Sequence, residues 1–378
     1  MDFTKVKHFM ESLKDIGVPG SALGVYLQGK EVFRHHTGYA NLEAQAPIAP
    51  DTLFSIYSMT KVVTCVAALR LFEEGNFLLH DPLGAYVPEF KDMTVRHTHK
   101  NGTVTVEPAK KPIRIVDLFT MSSGISYEQT EHVKARYDET GGNAPLKDLA
   151  LALAKDALFF EPGERYRYGY SHDVLGYLVE VLSGKTIGQY FYDEIFAPLG
   201  MNDTFFRVPQ DKQHRFAKCY AYNEKDRTHT VIAGTPIRFT DTDYKFESPG
   251  GGLVSTIDDY AKFANALCAG GTAANNYRLL GKATVDLMRA NQLDETRMKD
   301  FGGHISGYGY GLGVRTMIEP ARGGFNAGTG EFGWAGLAGT YLLMDPSMGL
   351  TYIYAHQLMP SREEYYASRL KNVIYGCL

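Results

Sequence analysis

The chain has 378 residues, of which 44% are hydrophobic and 22% charged, and its net charge is −4. This is the composition of an ordinary globular protein of about two domains or one large composite unit, with no electrostatic footprint for nucleic acid or an anionic membrane. Tyrosine is abundant, 25 copies against one tryptophan, and its rigid apolar ring with a polar tip suits core layers and substrate clefts alike.

Residues 1–20 are mixed in charge and lack the apolar run of a secretory signal, and the longest apolar stretch, 62–72, is too short to span a bilayer. Cys65, Cys219, Cys268 and Cys377 form no C-x-x-C pair and read as free thiols of a reducing compartment. A cytoplasmic protein with no membrane or nucleic-acid partner is the expectation.

In chain order, residues 1–13 read as an amphipathic helix. Segments 22–27 and 31–34 read as a strand pair around the turn Gln28-Gly29-Lys30. A long apolar helix begins at Tyr57 and runs to about Glu74. Residues 113–118 start another, 174–182 form a clear helix, and 256–267 a further one after Pro249-Gly250-Gly251-Gly252. Strand-like segments follow at 308–314, 339–344 and 350–354, and 362–375 is helical. Strands at both ends with helices between them predict a mixed α/β (α+β) protein. An antiparallel sheet flanked by helices would be built from 1–76 and 245–378, and 77–244 would form a mostly helical domain beside it. The site would lie at their junction.

Three segments carry candidate chemistry. In Ser58-Met59-Thr60-Lys61 the hydroxyl and amine are three apart, so they meet on one helix face. A helix start and buried surroundings both disfavour the ammonium, as a lysine base requires. The same spacing recurs in Ser368-Arg369-Leu370-Lys371, where a solvated helix face explains it. Ser58 differs because its helix continues as Val62-Val63-Thr64-Cys65-Val66-Ala67-Ala68-Leu69, apolar on nearly every side. Taken alone, the pair supports catalysis and an N-cap serine beside a snorkelling lysine equally. The second segment is Glu161-Pro162-Gly163 through Tyr168-Gly169-Tyr170-Ser171, in which Tyr168 offers a phenol able to pass a proton. The third runs from Phe332-Gly333-Trp334-Ala335-Gly336-Leu337 to Tyr341. Its small residues let a backbone approach a ligand, and an edge N–H there could face an oxyanion. By themselves the last two read as a packing tyrosine and a Gly-rich turn.

Together these segments resemble the three motifs of the class C β-lactamase and D,D-peptidase superfamily, especially its esterase branch. Ser58 and Lys61 match Ser-x-x-Lys, Tyr168 matches the tyrosine of Tyr-x-Asn, and Trp334-Ala335-Gly336 stands where Lys-Thr-Gly is usual. The similarity extends through Asp117-Leu118 to Ser123-Gly124, Pro162-Gly163 and Gly250-Gly251-Gly252-Leu253. It implies a β-lactamase/transpeptidase-like fold and an acyl-enzyme mechanism on a small-molecule ester or β-lactam-like substrate, with no metal or organic cofactor. Ser58 would be the nucleophile and Lys61 and Tyr168 its proton carriers, and the amides of Ser58 and Leu337 would form the oxyanion hole. Tyr127, Tyr170, Trp334, Ala335 and Gly336 would line the substrate site. Two departures weigh against β-lactam turnover: Tyr170 replaces the motif asparagine, and Trp334 replaces the lysine that meets a substrate carboxylate. The alternative reading is a β-lactamase or D,D-peptidase-like penicillin-binding protein.

Competing signals are weaker. Gly328-Thr329-Gly330-Glu331-Phe332-Gly333 fits G-x-G-x-x-G but precedes a strand where a nucleotide motif needs a helix. His97-Thr98-His99 has no further ligand nearby, and Ser255-Thr256-Ile257-Asp258 reads as a helix cap. No G-x-S-x-G elbow exists.

Overall fold

The computed structural model describes residues 1–233, 237–302 and 306–378. The N-terminal helix α1 (Thr4–Ser12) leads into a hairpin of β1 (Gly20–Leu27) and β2 (Lys30–Asn41), followed by the short β3 (Ala46–Pro47). The hairpin turns at Gln28 and Gly29, both at positive φ (51° and 73°), which matches the right-handed twist of the strands it joins. Strand β2 runs seven residues beyond the expected Arg34, because pairing with β1 carries the polar run 34–37 that propensity alone leaves outside a strand.

A second short pair, β4 (Phe54–Ser55) with β9 (Val254–Ser255), brackets the middle of the chain. Between them lie helices including Glu131–Thr140, Leu146–Lys155 and Ser171–Ser183, together with two hairpins, β5–β6 (Thr94–Thr98, Val104–Pro108) and β7–β8 (Tyr220–Asn223, Thr228–Val231). His97 and His99 sit on the first hairpin, where His99 bonds Thr105 Oγ1 at 3.0 Å. Beyond Ser255, Thr256 caps the helix Ile257–Cys268 by accepting the Asp259 amide. The remaining strands are β10 (Tyr308–Tyr310), β11 (Arg315–Met317), β12 (Phe332–Ala335), β13 (Tyr341–Asp345) and β14 (Leu350–His356), and the helix Glu363–Tyr375 ends the chain.

The eight-stranded sheet has the order β10-β11-β12-β13-β14-β1-β2-β3 with every neighbouring pair antiparallel, so strands from both ends of the chain interleave. Alternation along β1 and β14 sends side chains to opposite faces. Leu23, Val25, Tyr352 and Tyr354 pack with Val6, Met10, Tyr366 and Leu370 of the two terminal helices. Ala22, Ile353 and Ala355 face Ile257, Tyr260 and the central helix Thr60–Glu73. Gly24 has no side chain because a Cβ there would press on Ile257. Eleven of the fourteen residues of the central helix are buried, as its all-round apolar sequence requires. Among the described residues, no helix is long and apolar enough to cross a membrane.

One expectation is overturned. Lys371 is not on a solvated helix face: it is 1% exposed and pairs with Glu331, whose side chain is equally buried. Tyr308 also meets this pair, and the Tyr375 hydroxyl donates to Glu331 Oε2 at 3.0 Å. The four-residue spacing from Ala367 to Lys371 follows the core stripe of the helix, which sequence periodicity cannot separate from a polar face. Removing one partner of a buried pair leaves the other charge uncompensated, at a cost of about 3–5 kcal/mol. Lys371→Met should therefore lower the urea unfolding midpoint strongly, and the double variant Lys371→Met/Glu331→Leu should recover most of the loss.

Candidate active site

The central helix begins as a 3₁₀ turn, Tyr57–Met59, and becomes α-helical at Thr60. The β4–β9 pair and the Ile56 amide bonded to the Leu253 carbonyl hold the approach to this turn. Tyr57 has φ +41°, a left-handed conformation costly for a residue with a Cβ. Its buried ring packs edge-on against Phe239 at 5.5 Å, which helps hold it there. The chain has no G-x-S-x-G sequence, yet the residue before Ser58 makes a similar sharp backbone turn.

Lys61 follows one helical turn later and is 0% exposed. Its three N–H donors meet three acceptors: Ser58 Oγ at 3.4 Å, Tyr127 Oη at 2.9 Å and the Gly250 carbonyl. The Pro249–Leu253 run lies along the helix. Thr64 Oγ1 donates to the Pro249 carbonyl, and Thr60 Oγ1 accepts the Leu253 amide. Burial by itself pulls the lysine ammonium down, as the sequence argument expects. The oxygens of Tyr127 and Tyr168 and the Asp173 carboxyl outweigh it, and the net shift is upward. The expected fall toward neutrality is therefore reversed, because sequence reading counted the helix start and burial but not the three oxygens gathered around the amine.

Tyr127 and Tyr168 arrive on two segments zipped together. The Arg167 amide bonds the Met121 carbonyl, Gly163 bonds Ser122, and Ser123 Oγ bonds Ser171 Oγ. Gly169 lets the backbones touch, since a Cβ there would strike Ile125 and Ser126. Arg167 and Glu128 form an ion pair flanking the two tyrosines. Tyr127 is 39% exposed along its ring while its hydroxyl meets Lys61. Burial pushes its phenol up, and Lys61 opposes that shift. Tyr170 packs edge-on against Tyr127 at 4.6 Å. The Lys61 ammonium lies 4.6 Å from the centre of the Tyr168 ring, and Tyr168 Oη instead accepts the indole N–H of Trp334 at 3.2 Å. The two rings stack at 5.8 Å.

Trp334 ends an interior strand, not an edge. Of the residues of β12, strand β11 pairs with Phe332 and Gly333, so Trp334 and Ala335 project past it. Trp334 packs on the central-helix side of the sheet, whereas the methyl of Ala335 turns to the terminal-helix side. The loop from Gly336 to Thr340 then closes against the chain just before Ser58. Gly336 N–H bonds the Thr340 carbonyl at 2.7 Å, and Thr340 Oγ1 donates to the Ile56 carbonyl at 3.1 Å. Gln357 binds Ser55 through both its amide atoms. The Leu337 side chain is 62% exposed. Neither the Ser58 nor the Leu337 amide donates to an acceptor among the described residues.

The structure thus gathers Ser58, Lys61, Tyr127, Tyr168, Tyr170 and Trp334 by contact, and sets Gly336 against the Ile56 carbonyl just before the Ser58 turn. Sequence reading missed the direct bond from Lys61 to Tyr127, which it took only as a pocket wall, and it missed Asp173, which looks like an ordinary acidic residue in a helix's first turn. A cavity of about 910 Å³ lies elsewhere, lined by residues such as Tyr26, Arg34, Asp258 and Arg289. Its Arg34 pairs with Glu31 and Asp258, and its Arg289 with Asp286, so these cations are already engaged.

An antiparallel sheet crossed by such a central helix is the fold of the serine β-lactamases and their hydrolase relatives. The chain belongs to that family, whose beta-lactamase model matches residues 4–374. It is 35% identical to Protein Rv1367c of Mycobacterium tuberculosis over 92% of this chain and 88% of that one. It is 26% identical to Esterase EstB of Burkholderia gladioli, over 91% and 87% of the two chains. The solved structure of EstCE1, a hydrolase with promiscuous acyltransferase activity, shares the fold at a TM-score of 0.83 and 22% identity, covering 99% of this chain and 98% of that one.

Gly336 tests the loop geometry, because a Cβ there would collide with Thr340 Oγ1 and the Ile56 carbonyl. Gly336→Ala should force the Gly336–Thr340 loop away from Ile56, just before the Ser58 turn. Because the Ile56 carbonyl is backbone and cannot swing aside, the melting temperature should fall clearly, which thermal unfolding measures.

Proposed function

We propose that the protein is a serine esterase that works through an acyl-enzyme. The observation that carries this reading is Ser58 Oγ lying 3.4 Å from a fully buried lysine that is itself bonded to a tyrosine hydroxyl. Ser58 Oγ attacks the ester carbonyl carbon and gives its proton to the Lys61–Tyr127 pair, which has first released one proton to solvent. The carbonyl oxygen becomes an oxyanion between the amides of Ser58 and Leu337. Collapse breaks the bond to the alcohol, which leaves with a proton from the tyrosine–lysine group. Water repeats the sequence and frees the acid. Tyr168, held by the Trp334 N–H and stacked beneath Lys61, shares in the proton traffic. Lys61 and Tyr127 share a hydrogen bond, so the base is that pair and not either residue alone.

An ester substrate is favoured over a penicillin or cephalosporin by the charges around the site. Trp334 stands where the family usually has a lysine, and its one N–H donor is engaged by Tyr168. Arg167, the cation beside Tyr168, is paired with Glu128. What remains for a substrate is an aromatic face, suited to an uncharged group. The esterase relative from Burkholderia gladioli supports the same choice. The second reading, a β-lactamase or D,D-peptidase, keeps the nucleophile, but among the described residues the cation nearest Tyr168, Arg167, is already paired.

A fluorophosphonate probe should label Ser58, and Ser58→Ala should abolish both labelling and ester turnover. Tyr127→Phe and Tyr168→Phe should each lower kcat by at least ~10²-fold, with the double variant little worse than the poorer single one. A Tyr168→Phe enzyme near full activity would reduce that residue to packing. In kcat/KM the wild type should prefer p-nitrophenyl butyrate to a cephalosporin ring. Faster ring opening would replace the esterase reading with the β-lactamase one.

A further inference from the structure

Asp173 stands in the first turn of the helix Ser171–Ser183 and is buried. Its Oδ1 accepts two hydrogen bonds, from Ser248 Oγ at 2.9 Å and from the Gly250 amide at 3.2 Å, and it forms no ion pair among the described residues. A buried carboxyl without a cation is costly unless something nearby uses its charge. Gly250 is the link, because its amide bonds Asp173 and its carbonyl accepts the Lys61 ammonium. The contact is close enough that a Cβ on Gly250 would collide with the carboxylate.

We propose that Asp173 is a positioning residue for Lys61: it fixes the Gly250 carbonyl on the amine and supplies the counter-charge that keeps the Lys61–Tyr127 pair protonated at rest. This rests on the reading of Ser58 as the nucleophile. Asp173 and Lys61 act on each other reciprocally. Burial pushes the carboxyl up and the net shift is upward, with Lys61 and the bonds from Ser248 and Gly250 pulling it only partly back. The carboxyl in turn helps raise the lysine. The other titratable groups facing this pair are Cys65 on the central helix, His172 on Asp173's own helix, and Tyr127, Tyr168 and Tyr170 on the two zipped segments. None of them supplies a fixed anion. His172 is pushed down to about 3 by burial and by Lys61 and stays neutral. Burial holds the Cys65 thiol far above its usual range, and Tyr170 is pushed up to about 12, chiefly by burial.

The sign of the effect follows. Attack by Ser58 needs the pair to have lost one proton, and an anion beside the pair raises the pH at which that happens. Removing the anion lowers it. The test is the pH midpoint of fluorophosphonate labelling at Ser58, read by peptide mapping, for the wild type, Asp173→Asn and Ser248→Ala. Asp173→Asn keeps the shape and an acceptor oxygen, and its midpoint should move down by about one pH unit or more. Ser248→Ala removes one bond that favours the carboxylate and should move the midpoint the same way by less. A residue that only braces the loop would slow labelling without moving the midpoint. A folded Asp173→Asn variant with the wild-type midpoint overturns the proposal. If that variant fails to fold, Ser248→Ala with the wild-type midpoint overturns it. A wild type unlabelled at Ser58 removes the nucleophile, and this proposal with it.

Discussion

The site depends on one buried cation. An ammonium taken fully out of water costs several kcal/mol even after the protein relaxes. Lys61 is tolerable at the head of the central helix because each of its three N–H bonds finds an oxygen. Those three oxygens come from three parts of the chain: its own helix turn, the Tyr127 loop and the glycine run at 250–252. Each constraint on those parts follows from the need to bring an oxygen to the lysine. Gly250 lacks a side chain because Asp173 occupies the space, and Gly251 lies against the backbone of Tyr57. The buried charge thus dictates residues that never touch a substrate.

Trp334 makes a similar demand from the other side. Its indole N–H engages Tyr168, and its ring stacks on the same tyrosine and meets Tyr310 edge-on at 5.2 Å. A tryptophan here is part of the wall that orients a phenol as much as a surface for the substrate. That dual use explains how the usual lysine can be absent without leaving the tyrosine hydroxyl unsatisfied.

Much of this was legible in the sequence where signals were local. The apolar run after Lys61, the glycine-rich entry to residue 341 and the order of the three segments pointed to the fold and to Ser58. What was not legible was long-range or ambiguous in period. Strand β2 continues through Arg34-His35-His36 because a neighbour pairs with it. Short strands such as β4, β9 and β11 carry too few residues to show alternation. Lys371 occupies a core position that looks polar on paper. Asp173 and the carbonyl of Gly250 could not be read at all, since backbone acceptors leave no mark in a sequence and a first-turn aspartate is common at helix starts.

The interleaved sheet sets the order in which the molecule can be made. β1 lies between β2 and β14, and residues Ser21 to Leu27 pair with 350–356, more than 300 positions away. As the chain leaves the ribosome, the hairpin β1–β2 can form early but must wait with one edge open until residues 350–356 have been synthesised. The loop that locks the Ser58 turn, anchored by Thr340 and Gln357, is equally late. A nascent chain therefore carries its serine and lysine long before it can use them. The open β1 edge is a liability during that interval, as slow, non-local pairing exposes an unfinished sheet to misassembly. The polar, charged run along β2 is then a useful guard, because it keeps the waiting hairpin from presenting two apolar faces at once.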